Sequence, residues 1–283
     1  MTSFPGYALP SELAQLRDQV RRLIREEILP VEQRIDPDAA EIPEEDYRRL
    51  SAKTKAAGLW CLGSPAEHGG GGLDTFSMSV VLEEMSQHRM GLYNPGCGVF
   101  GRNVPPVIWG GTQAQIEKYA VPALREGHHT FFAITEPSGG SDPAGAIQSR
   151  GVKRGDHWVL NGTKMFISHA DEAEWGVVFV RTDASKGRAG ISCFILDKGT
   201  PGFTARPIRT IRTVSVPCEV ALEDCRVPAE NLLGEEGRGL DLSFDLLTRL
   251  RFPYSACNLG VAVAAHRMAI AHAKQRATFG VPL

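Results

Sequence analysis

The stretch Thr135-Glu136-Pro137-Ser138-Gly139-Gly140-Ser141-Asp142, with Phe166-Ile167-Ser168 downstream, decides how this chain reads. The first run follows an apolar, strand-like segment, Phe131 to Ile134, and is itself a turn of small residues. The second ends another short strand. Between them they offer main-chain N–H groups, small hydroxyls and an aromatic face. A flat, anionic, redox-active ring system needs those contacts from a protein.

Working outward, the period of the apolar residues changes twice. Leu13, Leu16, Val20, Leu23, Ile24 and Ile28 recur at helical spacing, with Ser11 as candidate cap and Pro30 as stop. A second helix has Pro43 near its start, Glu44, Glu45 and Asp46 in its first turn and Gly58 just past its end. Asp74 or Thr75 can cap a third, running through Met85. Near Thr130 the pattern turns to alternation. Gln148 to Lys153, Trp158 to Leu160, Gly176 to Arg181, Ile191 to Leu196 and Glu219 to Leu222 read as strands, with Gly155-Asp156 and Asn161-Gly162 as turns. From Gly239 the helical period returns, with Leu240, Leu246, Leu250, Ala256, Leu259, Val263, Ala264 and Met268 on it and Pro253 expected to kink or break it. The fold class is therefore α+β. An all-α domain is expected over 1–128, an antiparallel, β-barrel-like domain over 129–236 and the start of a helical bundle over 237–283.

Several function classes drop out. No G-x-G-x-x-G follows a strand, and Gly69 to Gly72 lack the lysine and Ser/Thr of a phosphate-binding loop, so they read as a flexible turn. Six scattered cysteines contain no C-x-x-C pair, which argues against zinc and for free thiols in a reducing, cytoplasmic compartment. A net charge of −2 favours neither nucleic acid nor an anionic membrane, and 42% hydrophobic with 23% charged residues is ordinary for a globular protein. No apolar run is long enough to span a bilayer, and Met1 to Leu9 does not read as a signal peptide.

Five motifs in order resemble the acyl-CoA dehydrogenase family of flavoproteins. They are Phe132-Ala133-Ile134-Thr135-Glu136-Pro137; Gly140-Ser141-Asp142; Leu160-Asn161-Gly162-Thr163-Lys164-Met165-Phe166-Ile167-Ser168; Val227-Pro228-Ala229-Glu230-Asn231-Leu232-Leu233-Gly234; and Arg276-Ala277-Thr278-Phe279-Gly280. The resemblance implies FAD bound without a dinucleotide fold. Phe132 to Ser141, including Gly140, would wall the site, with the N–H groups of Ile134 and Thr135 facing the flavin's pyrimidine end. Ser141 would lie near the pyrophosphate and the acyl-CoA. Phe166, where most relatives have Trp, would cover the ring beside Ile167, and the Ser168 hydroxyl would reach N5. Arg276 would hold the FAD of a neighbouring subunit, with Phe279 packed beside it. Without the other motifs, Phe166 reads better as a core residue and Arg276 as a partner for a helix's carbonyl end.

The family removes an α-proton from an acyl thioester with a carboxylate while hydride leaves the β-carbon for the flavin. Where some members carry that Glu, preceded two residues earlier by an acidic residue, this chain reads Thr248-Arg249-Leu250-Arg251. No catalytic base is identified, and one is expected beyond Leu283. Arg251 matches an arginine that contacts CoA, or is a solvated helix charge. Only the first helix of the family's four-helix C-terminal bundle is expected here, so a truncated form of a longer enzyme is anticipated. The resemblance implies an acyl-CoA substrate, an electron-transfer flavoprotein as acceptor and a homo- or hetero-oligomer. A non-catalytic, partner-dependent subunit and an acyl-CoA oxidase-like flavoenzyme are the alternatives.

Overall fold

A computed structural model describes residues 8–39, 41–102, 104–210 and 217–282, with the side chains of 245, 246 and 282 outside the description. Contacts gather the chain into two compact bodies. One holds Met1–Pro65, Gly71–Phe100 and Arg249–Leu283, the other Ala66–Gly70 and Gly101–Thr248. Among the described residues no helix is long and apolar enough to cross a membrane.

The first body is helical. Helix α1 (Ser11–Leu23) passes through a π turn (Ile24–Ile28) directly into α2 (Leu29–Arg34). Pro30 is therefore not the stop expected of it. The wider π turn moves the preceding carbonyls away from the proline ring and shifts the ladder where its missing N–H falls. Ser11 is not the cap either: Pro10 occupies that position, with no side-chain hydrogen bond. Helix α3 (Glu44–Ala56) starts after Pro43, and α4 (Thr75–Met85) is capped by Asp74, whose carboxylate accepts from Ser77 N. Val20, Ile24, Ile28, Leu50, Val81, Met90 and Val99 form the core between them.

The second body is built on one eight-stranded sheet: β1 (Thr130–Ala133), β2 (Arg150–Arg154), β3 (His157–Ser168), β4 (Trp175–Arg181), β5 (Ile191–Asp197), β6 (Phe203–Pro207), β7 (Pro217–Pro228) and β8 (Leu232–Leu233). The order is β6-β7-β3-β2-β4-β5-β8, with β1 paired to β4. The sheet is antiparallel as expected, except that β1 runs parallel to β4 and β2 touches β4 in parallel at Arg150↔Arg181. Gly155-Asp156 makes the β2–β3 turn. Asn161-Gly162 does not turn the chain; it lies inside β3. There it faces a bulge in β7, where Leu160 pairs with Cys225 but Gly162 with Leu222. Asn161 clasps the extra residue, donating from Nδ2 to the Asp224 carboxylate and accepting from Asp224 N. Asp224 takes φ +47, which the clasp stabilises.

A last helix (Gly239–Gln275) starts in the second body and continues in the first. Pro253 lies inside it without ending it, because a proline removes only one ladder bond and the turns on either side keep theirs. Gly260 is the closest approach: a Cβ there would lie 2.1 Å from Glu83 O on α4. Beyond it a two-residue turn, Phe279-Gly280, joins Ala277–Thr278 to Val281–Pro282.

Candidate functional site

The two decisive stretches lie side by side. Strand β1 delivers Phe132 and then Ile134-Thr135-Glu136, and the last turn of β3 docks on it through Met165 N donating to Thr135 O at 2.9 Å. Outside the strand ladder, the N–H groups of Ile134 and Thr135 donate to no main-chain partner among the described residues. The loop that follows is ordered by its own side chains. Ser138 Oγ donates to Ala146 O, and Asp142 accepts from Gly145 N at the head of the short helix Pro143–Ala146. Gly140 and Ser141 are left exposed, Ser141 at φ +58.

A second bulge aims the aromatic face. Between Lys164↔Val220 and Ile167↔Cys218, β3 carries one residue more than β7. Phe166 sits in that bulge at φ +62, a left-handed conformation that is unusual for a bulky residue. Its ring is therefore not core: it is 64% exposed. Ile167 is buried in the sheet, so only its main chain can face a ligand, while Ser168 is exposed.

The residues that join the two segments were not singled out from the sequence. Lys164 Nζ donates to Glu136 Oε1 at 2.6 Å, and both side chains are buried. Glu136 also accepts from Gln148 N and Ser149 N. Burial opposes the Glu136 charge, but Lys164 and these donors hold it below the usual carboxylate range. Burial brings Lys164 down to about 8, against the pull of Glu136. A signal was present: alternation along β3 puts Trp158, Leu160, Gly162 and Lys164 on one face, so a lysine entered a core position. A buried lysine needs a buried anion, and the motif Glu was the nearest one.

Arg251, Arg276 and Phe279 belong to the other body. All three are exposed, Phe279 completely, at the tip of its hairpin with φ +56. In the last helix the described carboxylate is Asp241, paired with Arg188 at 3.0 Å and Arg238 at 2.9 Å. The side chain of Asp245 lies outside the described residues.

The helical body holds a Cys–His–carboxylate group, Cys97, His88 and Glu32, all buried. It is not built to activate the thiol. His88 Nε2 accepts from Gly96 N, so the proton sits on Nδ1 and goes to Glu32 Oε1 at 2.8 Å. The thiol, 3.8 Å from that same Nδ1, has no free base, and burial pushes its pKa up.

The models for the acyl-CoA dehydrogenase N-terminal domain and middle domain match residues 10–127 and 131–225. The chain belongs to the acyl-CoA dehydrogenase family. The short-chain specific acyl-CoA dehydrogenase of rat mitochondria is 32% identical, over 100% of this chain and 68% of its own length. A chain in a structure of the electron-transferring flavoprotein of Acidaminococcus fermentans superposes with a TM-score of 0.81 at 35% identity, covering 98% of this chain and 72% of that one. A glutaryl-CoA dehydrogenase from Mycobacterium smegmatis, in complex with FADH2, gives 0.80 at 27% identity, covering 97% and 68%. Such acyl-CoA dehydrogenases are oxidoreductases, and their helical and β-sheet layout is that of the two bodies here.

Proposed function

We propose that this acyl-CoA dehydrogenase binds FAD across the Thr135–Ser141 loop and the β3 bulge, and serves α,β-dehydrogenation of an acyl-CoA thioester. One observation carries the reading. Met165 N to Thr135 O and the buried Glu136–Lys164 pair lock these segments together, while the Phe166 ring stays exposed beside them. The residues suit the group. Fixed N–H donors favour the negative charge that builds on a reduced flavin ring, since no solvent must reorganise around it. The exposed Phe166 ring offers a stacking face, Ser168 a hydroxyl and Ser141 a small polar edge. When bound, FAD would accept the hydride that leaves the substrate's β-carbon. Passage of electrons to an electron-transfer flavoprotein is proposed from the family.

A second reading has its own support. Leu250 stands where some relatives carry the catalytic Glu, and Asp241 is already neutralised by two arginines. A subunit that lends flavin contacts to an active partner would have this composition.

The purified chain, incubated with FAD and desalted, tests the reading. It should retain flavin absorbance, and Phe166→Ala should weaken retention by up to about 10-fold, the upper end of the roughly 0.5–1.5 kcal/mol of ring stacking. Bleaching by butyryl-CoA without a partner protein would exclude the subunit reading, and peroxide release would indicate an oxidase. A colourless protein, or FAD retention that does not respond to Phe166→Ala, would defeat the proposal.

A further inference from the structure

A cluster outside the proposed flavin contacts has the donors of a metal centre. His129 immediately precedes β1, His169 immediately follows β3, and Glu172 lies in the next turn. One ligand atom from each lies within 4.8 Å of the other two. Glu172 Oε2 is 3.7 Å from His129 Nε2 and 3.8 Å from His169 Nδ1. Those separations are too long for hydrogen bonds. They lie near the edge of a tetrahedron around a zinc-sized ion, about 3.3 Å for ligand bonds of about 2.0–2.1 Å. The two rings lie side by side at a tilt, with centroids 4.5 Å apart.

The backbone holds the three in place. His129 O accepts from Glu174 N at 3.1 Å. His169 O accepts from both Glu172 N and Ala173 N, closing a tight turn in which His169 takes φ +59. The side chains are partly open, at 19%, 37% and 51% exposure, so an ion can enter and keep water in its remaining positions. The local charges leave a net negative balance: Arg102 near His129 opposes a cation, while Glu172 and Asp171 favour one.

We propose that His129, His169 and Glu172 form a site for one borderline divalent transition-metal ion of the zinc, cobalt or nickel class. Two imidazoles and one carboxylate select that class over calcium or magnesium, which take all-oxygen shells. The bound ion would pin the start of β1 to the end of β3, the two strands that carry Phe132, Phe166 and Ser168. The site does not depend on the flavin reading, and its test needs no FAD.

Co2+ titration of the full chain, followed by visible absorption, tests it directly. One equivalent should produce the d–d bands of a four- or five-coordinate nitrogen/oxygen site, and Zn2+ should displace them. His129→Gln and His169→Gln should each lower affinity by at least about 100-fold, since loss of even an outer-shell partner costs 10- to 100-fold. Glu172→Gln, at an exposed position that leaves the fold alone, should also weaken binding. Absence of d–d bands, affinity unchanged in Glu172→Gln, or a sulfur-to-cobalt charge-transfer band would each overturn the assignment, because the cluster contains no thiolate.

Discussion

Replacing Lys164 by Met isolates the buried carboxylate that organises the candidate site. In the native chain Glu136 receives one cation and two main-chain N–H groups. The variant keeps the N–H groups and removes the cation from a side chain that is only 4% exposed. Removing one partner of a buried ion pair costs about 3–5 kcal/mol, mostly the penalty of the unpaired charge. That is a fifth or more of the roughly 5–15 kcal/mol stability of a typical domain. The double variant Glu136→Gln/Lys164→Met removes both charges and keeps an amide oxygen to accept from Gln148 and Ser149, so it should recover at least half of the loss. Urea unfolding followed by circular dichroism reads both numbers. The pH dependence supplies a separate check. Lys164 lies near 8 in the folded chain and near 10.5 in the unfolded one, so between those values the unfolded chain holds more protons. Stability from this group should therefore rise with pH across that window, and the rise should vanish in Lys164→Met. A single variant within 1 kcal/mol of wild type, or a double variant no more stable than the single, would refute the account of the pair.

Other perturbations probe different joints. Gly162→Ala would place a Cβ 2.2 Å from Ser149 Oγ at φ +146, so we expect a loss of at least about 3 kcal/mol in the same unfolding assay. Burial, with Arg102 and His169 nearby, brings the His129 imidazole down to about 4. The unfolded chain then binds the extra proton between about 6.5 and 4, so stability falls as pH drops through that window, and His129→Gln should flatten the acid limb of a Tm-versus-pH curve. Phe279→Gly relieves a left-handed conformation worth about 1–2 kcal/mol, offset by about 0.5–1 kcal/mol of added chain entropy. Its thermal midpoint should hold or rise slightly while FAD retention falls, and a clear drop in midpoint would mean that the exposed ring serves the fold.

Much of the architecture was legible because it follows from local periods and caps. The change from helical to alternating spacing near Thr130, and back at Gly239, coincides with the sheet and the last helix within a few residues. Asp74 is a cap and Gly155-Asp156 a hairpin turn because each needs only its neighbours in sequence. Readings that failed depended on partners elsewhere. Pro30 looked like a stop, but a π turn carries the helix past it. Asn161-Gly162 looked like a turn, because the signature does not reveal that Asn161 clasps Asp224, 63 residues away.

The same division runs through the site. Residue types by themselves determined the family and the stretches that carry its motifs, since five ordered motifs are read one residue at a time. Which of those residues faces outward was decided by the tertiary structure. A single extra residue in β3, measured against β7, turns Phe166 out and Ile167 in. A lysine placed on the core face of β3 fixes the loop that began 28 residues earlier. Register and burial are relations between strands; no local pattern contains them, because the energy of a buried charge depends on what the other strand brings to meet it.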